Sequence, residues 1–297
     1  MRIIAALIRR NLRIYVRDRA GVLLSLLSAF ILLLLYLLFL GKIQVDNLEE
    51  SVPGASSDDV GRYIGSWVYA GIIMITPITT GLAALQTYVD DKVSGRFKEF
   101  RVSPIRRTQL ILGYQLSAVL VAIMMSTIVL IVGAVMVKTI YGEFAGWDGM
   151  AEALGLIVLI SWTFGALSSF GMTFVNSTSS FTTVSTITGT LLGFLAGAYL
   201  PLGLLSKSVV NVINALPFSS SAMLLREPLA GRALDNLANG SEPARKAIAT
   251  YYGHVISIGS TRIGPVWAIA GLAVLGLLFT VAGAMRIGSW IEAGRPG

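Results

Sequence analysis

The chain has no cysteine and a single histidine, His254. The first absence excludes disulfides and thiolate metal sites, and it leaves the redox compartment unread. The second leaves too few partners for a catalytic triad or a histidine-rich metal site. On the sequence, His254 beside Tyr251 and Tyr252 reads as an exposed side chain with no chemical task. Charge is scarce as well. Asp, Glu, Lys and Arg supply 13% of the residues, against about 25% in soluble domains. Hydrophobic residues supply 55%, and the mean hydropathy of +0.75 places the chain among integral membrane proteins. The net charge of +7 does not indicate nucleic acid, because the basic residues lie in loops between apolar runs.

A membrane helix needs about 20 mainly apolar residues. Six stretches meet that need: 22–40, 66–89, 110–137, 153–175, 181–200 and 264–284. None contains Asp, Glu, Lys, Arg or His, and Glu152 stands only at an end. Ion-coupled carriers keep ionisable groups inside the membrane because such groups are costly and retained for work. Their absence argues against a proton- or sodium-driven transporter but not against transport powered from elsewhere. No clustered catalytic set argues for a membrane-embedded enzyme. The N-terminus does not read as a cleavable signal, since its first apolar run is long and follows a basic segment.

Basic residues alternate from loop to loop. Arg2, Arg9, Arg10, Arg13, Arg17 and Arg19 precede the first span, and Lys92, Arg96, Lys98, Arg101, Arg106 and Arg107 follow the second. The loop 41–65 has only Lys42 and Arg62 against five acidic residues, and the loop after the third span has only Lys138. The positive-inside rule then puts both termini and the loop after the second span in the cytoplasm. The long segment 201–262 falls outside. At about 100° per residue, Arg2, Arg9, Arg10, Arg13 and Arg17 share one arc of a helix, with Ile3, Ile4, Leu7, Ile8, Leu12, Ile14 and Tyr15 opposite. Residues 1–20 therefore read as an amphipathic helix in the membrane interface.

Polarity within the spans is hydroxyl and glycine. Thr76, Thr79 and Thr80 in the second span, and Thr183, Thr186 and Thr190 in the fifth, each fall near one helix face and are candidates for a substrate path. Pro77 predicts a kink. Gly189, Gly193 and Gly197 recur every four residues, a spacing that lets helices pack closely. Residues 201–226 are too interrupted to span and too apolar for a plain loop, which suits short re-entrant helices. Residues 227–262 are more polar and read as an exterior cap.

The stretch SGRFKEFRVSP at 94–104 is more than a charged loop. Phe97 and Phe100 share a face, Arg96, Lys98, Glu99 and Arg101 surround them, Ser94 stands as an N-cap, and Pro104 ends the helix. An aromatic centre with a charged rim is the composition of a partner interface.

The run DKVSGRFKEFRVSPIRRTQLILGYQ at 91–115 resembles the cytoplasmic loop of ABC-2 type ABC transporter permeases, with Gly95, Glu99, Ser103, Pro104 and Gly113 at matching positions. The run beginning GAYLPLGLL resembles the family's segment before the last span, through Tyr199, Pro201, Pro217, Arg226 and Gly231. Arg96 stands where Thr or Lys is frequent, and Tyr114 where Lys is. The resemblance covers nearly the whole chain. It implies an all-α integral membrane protein: one transmembrane domain of six transmembrane helices, an N-terminal interfacial helix, a coupling helix at 94–104 and re-entrant helices before the last span. It further implies one half of a homodimeric or heterodimeric permease in a bacterial plasma membrane. Each half docks an ABC ATP-binding subunit that holds ATP and Mg2+. The coupling residues are then Gly95, Arg96, Phe97, Lys98, Glu99, Phe100, Arg101, Ser103 and Pro104. The chain itself has no Gly-Lys-Ser/Thr phosphate loop, so no cofactor is expected in it and ATP hydrolysis is expected only in the complex. A path without ionisable groups suits a hydrophobic or amphipathic cargo. A non-transporting sensor or scaffold of the same family is the alternative.

Overall fold

The computed structural model describes the backbone of residues 2–35, 45–46, 48, 56–102, 105–195, 197 and 200–292, with side chains except at 28, 32, 35, 98, 101–102, 107 and 287–292. In chain order the helices are α1 (Arg2–Arg17), α2 (Arg19–Leu35), α3 (Ser57–Val93), α4 (Phe97–Val102), α5 (Arg107–Tyr141), α6 (Gly146–Met172), α7 (Thr178–Leu195), α8 (Lys207–Asn214), α9 (Pro217–Ala238), α10 (Glu242–Tyr251) and α11 (Pro265–Glu292). A 3-10 turn (Leu202–Leu204) precedes α8, and a hairpin of β1 (Ile256–Ile258) and β2 (Thr261–Ile263) precedes α11.

Helix α3 is the axis of the fold. It packs against α5, α9, α6, α7, α2 and α1, and 89% of its most apolar window is buried inside the protein. Its start is set by Ser56, whose Oγ accepts from the Asp59 amide at 3.1 Å, with Asp58 and Asp59 in the first turn where the helix dipole favours acid. The helix therefore begins nine residues before the apolar stretch 66–89 and takes in part of what reads as a loop. Its 37 residues run about 55 Å, so both ends project beyond a hydrocarbon core of about 30 Å. The backbone stays helical on both sides of Pro77. Close approach of α5 depends on Gly133, which lies under the Tyr69 ring while the Tyr69 hydroxyl donates to the Leu130 carbonyl.

Among the described residues, four helices are long and apolar enough to cross a membrane: α3, α5, α6 and α11. Six were expected. The first expected span is described only as far as Leu35, and residues 36–40 lie outside the described residues. The fifth falls short because α7 ends at Leu195 and half of its 18 residues are Ser or Thr. A fifth crossing is reached only if α8 and α9 count as one span bent by 86°.

The segment 201–262 divides differently from its expected parts. Helix α9 runs unbroken through 226–227, and its residues Leu225, Ala230 and Leu234 are fully buried. Pro217 stands in its first turn, where a missing amide costs nothing. Arg226 is 1% exposed and donates to the carbonyls of Gly253 at 2.9 Å and Gly197 at 2.8 Å, with its guanidinium 5.5 Å from the Trp67 ring. Trp67 donates to the Tyr252 carbonyl at 2.8 Å. This knot ties one end of α3 to the segment before α11.

His254 belongs to the same knot, which corrects its reading as an exposed residue. It is buried, stacked on Tyr63 at 5.9 Å, and its Nδ1 lies 3.5 Å from Glu227 Oε2. The loop around it folds under α3, so polarity of the flanking sequence does not report its exposure. Burial pushes its pKa below the ordinary 6.5, with the Glu227 carboxylate opposing and Arg226 and Arg245 adding to the shift.

Two outcomes test this packing. Replacing Gly133 by Leu drives a side chain into Tyr69 and is expected to cost about 1–3 kcal/mol, read as a lower melting temperature in detergent. Gly155→Leu, which meets nothing within 4 Å, should leave stability nearly unchanged. The unfolded cap binds a proton near pH 6.5 that the folded cap resists. The stabilisation is therefore complete above that pH and declines as pH falls below it. Hydrogen exchange of residues 251–263, corrected for intrinsic rate, should speed up between pH 7.5 and pH 5, and His254→Phe should remove that dependence.

Candidate functional site

At the opposite end of α3, the end that loop charge assigns to the cytoplasm, the chain buries a carboxylate completely. Asp91 is 0% exposed. Arg10 of α1 grips it with both terminal nitrogens, Nη1 to Oδ2 at 2.7 Å and Nη2 to Oδ1 at 2.9 Å. Arg96 donates to Oδ1 at 2.9 Å, and the Tyr114 hydroxyl donates to Oδ2 at 2.5 Å. Three chain segments separated by up to 104 residues thus converge on one acid. A two-pronged guanidinium contact is the strongest geometry available to such a pair, and Asp91 holds Arg10 above the usual arginine pKa. The Arg96 side chain is 55% exposed, so its ion pair contributes less.

Helix α1 is held by more than this charge. Leu7, Asn11 and Tyr15 are buried at four-residue spacing against the protein. Leu7 rests on Gly113, where an added Cβ would come within 2.8 Å of it. Asn11 donates to Ser117 Oγ at 3.2 Å, and the Tyr15 and Ser25 hydroxyls lie 3.0 Å apart. The apolar arc therefore faces α5 through these positions, while Ile14 and Val16 are exposed. Arg10 leaves the basic arc and turns inward.

The coupling segment sits on this clamp. Gly95 takes φ of +80°, a left-handed conformation that a side chain would strain, and so reverses the chain between α3 and α4. Ser94 caps the end of α3, with its amide bonded to Asp90 O and the Gly95 amide to Lys92 O; it does not open the next helix, which starts at Phe97. Phe97 and Phe100 do share a face, 6.2 Å apart. Phe97 lies on the chain's own Tyr88, at 5.4 Å, and Tyr114, at 6.2 Å, and both rings of the pair are partly buried. Arg96 and Glu99 are exposed beside it. Lys98 and Arg101 lie on α4 without described side chains, and Ser103 and Pro104 lie outside the described residues. Lys92 extends the junction to α6 by donating to the carbonyls of Thr173 at 3.1 Å and Val175 at 2.8 Å.

The two threonine sets do not meet on one surface. Thr76 and Thr80 are buried and donate to Ile72 O at 2.8 Å and Thr76 O at 2.7 Å; Thr79 is partly buried. Close packing fills the space beside them. Thr183, Thr186 and Thr190 are exposed on α7, with Thr183 and Thr190 bonded to the carbonyls four residues back. The glycine series breaks as well. Gly189 meets nothing within 4 Å, Gly193 is buried, and Gly197 lies past the helix end with φ of +60°. The three do not form one packing stripe, because the helix stops before the third.

Sequence reasoning passed over Asp91, Arg10 and Tyr114 as a unit. A signal existed: Asp90 and Asp91 are adjacent acids at the head of a mainly basic loop, at the edge of an apolar run. The departure at Tyr114 has a physical reason, since the phenol supplies one of the donors that Asp91 needs.

The chain matches the ABC-2 type transporter family over residues 2–228. It belongs to that family, and is a multi-pass membrane permease of the ABC-2 type, a membrane component that works in general with an ABC ATPase. No curated protein matches the chain.

Arg10→Ala removes the charged bonds that hold α1 to Asp91. A hydrogen bond to a charged group contributes about 1.5–3 kcal/mol. Amide exchange in α1 is therefore expected to rise roughly ten- to a hundredfold, while Arg96→Ala leaves it close to wild type. Equal protection in both variants would show that apolar contacts alone hold α1.

Proposed function

We propose that this chain is the membrane half of an ATP-driven exporter, carrying a hydrophobic or amphipathic molecule out of the cytoplasm by alternating access. A separate ATP-binding subunit holds ATP and Mg2+ and docks against the exposed rim of α4, at Arg96 and Glu99. A second permease half, identical or related, completes the path. Both termini and the Asp91 end face the cytoplasm of a bacterial cell.

The observation that carries the reading is the Asp91 clamp. Movement imposed on α4 reaches Phe97, Tyr88 and Tyr114 by ring contact, and reaches Asp91 through Arg96. From Asp91 it reaches α1 through Arg10. The short coupling helix is thus linked to the long helix α3, to α5 and to the interfacial helix. A plain orientation loop would need none of these bonds. The filled packing around Thr76 and Thr80 supports a path between permease halves rather than within one. That is the arrangement a paired permease requires.

The test is co-purification from cells expressing the neighbouring genes, followed by ATPase and transport assays. An ATP-binding subunit should purify with the chain in equal amount, and Glu99→Lys should lose it. Asp91→Asn should keep the subunit bound yet lower ATP-dependent transport tenfold or more. A chain that purifies without any ATPase would overturn the reading, and full transport by Asp91→Asn would overturn the role of the clamp.

A further inference from the structure

The segment before the last helix encloses a cleft of about 900 Å³ that the export reading above does not use. Its walls are the 3-10 turn, α8, α10 and β1. The volume falls in the range of sites for small organic molecules. Leu205, Val210 and Val255 give it an apolar lining. Lys207 of α8 and Lys246 of α10 line it, both exposed, and neither has an ion-pair partner among the described residues. No Asp or Glu lines the cleft.

Two further features shape the cleft. Asn214 is 97% buried, since 3% of it is exposed, and its Nδ2 donates to the Ser257 carbonyl at 2.9 Å, tying α8 to β1. Its Oδ1 is enclosed and has no hydrogen-bond partner, so Asn214 fixes one wall of the cleft against the other rather than meeting a guest. Beside the cleft, Leu204, Val209 and Val212 are 56%, 45% and 66% exposed. Apolar side chains so exposed on a short amphipathic helix suit contact with acyl chains. The cleft therefore combines two exposed cations, an apolar lining and a border adapted to lipid.

We infer that this cleft binds a single-chain anionic amphiphile, with its headgroup on Lys207 and Lys246 and its tail along Leu205, Val210 and Val255. The inference rests on the outward placement of residues 201–262 and deepens the export reading, for it names the class of molecule received at the outer face. A zwitterionic amphiphile has the tail but brings a cation to two unpaired ammonium groups. A tailless anion leaves the apolar lining unfilled.

The experiment uses the full chain in phosphatidylcholine nanodiscs, without an ATPase and without nucleotide. A photoreactive lysophosphatidylglycerol is cross-linked to it, and the labelled peptides are mapped by mass spectrometry. Label is expected on 202–214 and 243–257. Unlabelled lysophosphatidylglycerol should compete better than the choline analogue of equal chain length. A lysine near a membrane surface is worth roughly fivefold in anion affinity, so the preference should be about twenty-five-fold. Lys207→Ala with Lys246→Ala should abolish the preference, the paired Arg substitutions should retain it, and Val210→Trp should block labelling. Label confined to other peptides would overturn the proposal, as would equal competition by the choline analogue. Competition by glycerol phosphate as strong as by the lysolipid would reduce the cleft to an anion site and overturn the role of the tail. Because no turnover is involved, failure here leaves the permease reading standing, and loss of the ATPase partner leaves this binding result standing.

Discussion

A helix buried along nearly its whole length needs neighbours on every side, and α3 imposes that condition on the rest of the chain. Its buried positions run from Val60 to Asp91 with few gaps, and six other helices lie against it. The glycines of its neighbour α5 follow from this. Gly133 admits Tyr69, and Gly113 admits α1 alongside the same helix pair. Helix α9 follows too, because only a buried helix could close the face of α3 at Trp67. The lipid-facing helices are different: α11 has 22% of its apolar window buried, so its hydrophobicity is directed outward.

Within that covering, the two ends of α3 are fastened by different chemistry. One end uses aromatic rings, an arginine and backbone carbonyls; Tyr63 and Tyr252 meet edge to face at 5.2 Å, and Arg226 satisfies two carbonyls that have left regular structure. The other end uses a carboxylate shared by two guanidinium groups and a phenol. Breaking a buried pair is costly, yet such a pair is no more stabilising than a well-packed apolar contact. A carboxylate is therefore a poor choice for stability alone. Its merit is direction: it accepts only from groups at fixed positions, so it holds α1, the α3–α4 turn and α5 in one relative geometry.

Much of this was legible in the sequence, for reasons that can be named. Membrane class came from composition, and the amphipathic α1 from an arc of arginines at helical spacing. The Phe97–Phe100 face came from an i, i+3 pair. What the sequence could not give was which way a face turns. Phe97 and Phe100 point into the chain, Arg10 leaves its arc for Asp91, and His254 folds under Tyr63. Each outcome depends on a partner 17 to 191 residues away, and spacing along one helix carries no record of it. Hydroxyl-rich α7 failed differently. Its apolar residues are real, but Ser and Thr dilute them, and its end at Leu195 was hidden in a run of small residues.

The length of α3 has a mechanical side. A straight bar of about 55 Å, held near its middle, moves its two ends in opposite directions. A tilt of about 10° carries each end some 5 Å sideways, a distance comparable with one helical turn. The Asp91 clamp sits near one end, about 24 Å from the midpoint, and Trp67 of the knot lies about 12 Å to the other side of it. A push of a few ångströms on the clamp is delivered to the knot with its direction reversed and its size about halved. Pro77, two positions past the midpoint residue of the bar, decides whether it acts as a stiff lever or as a jointed one.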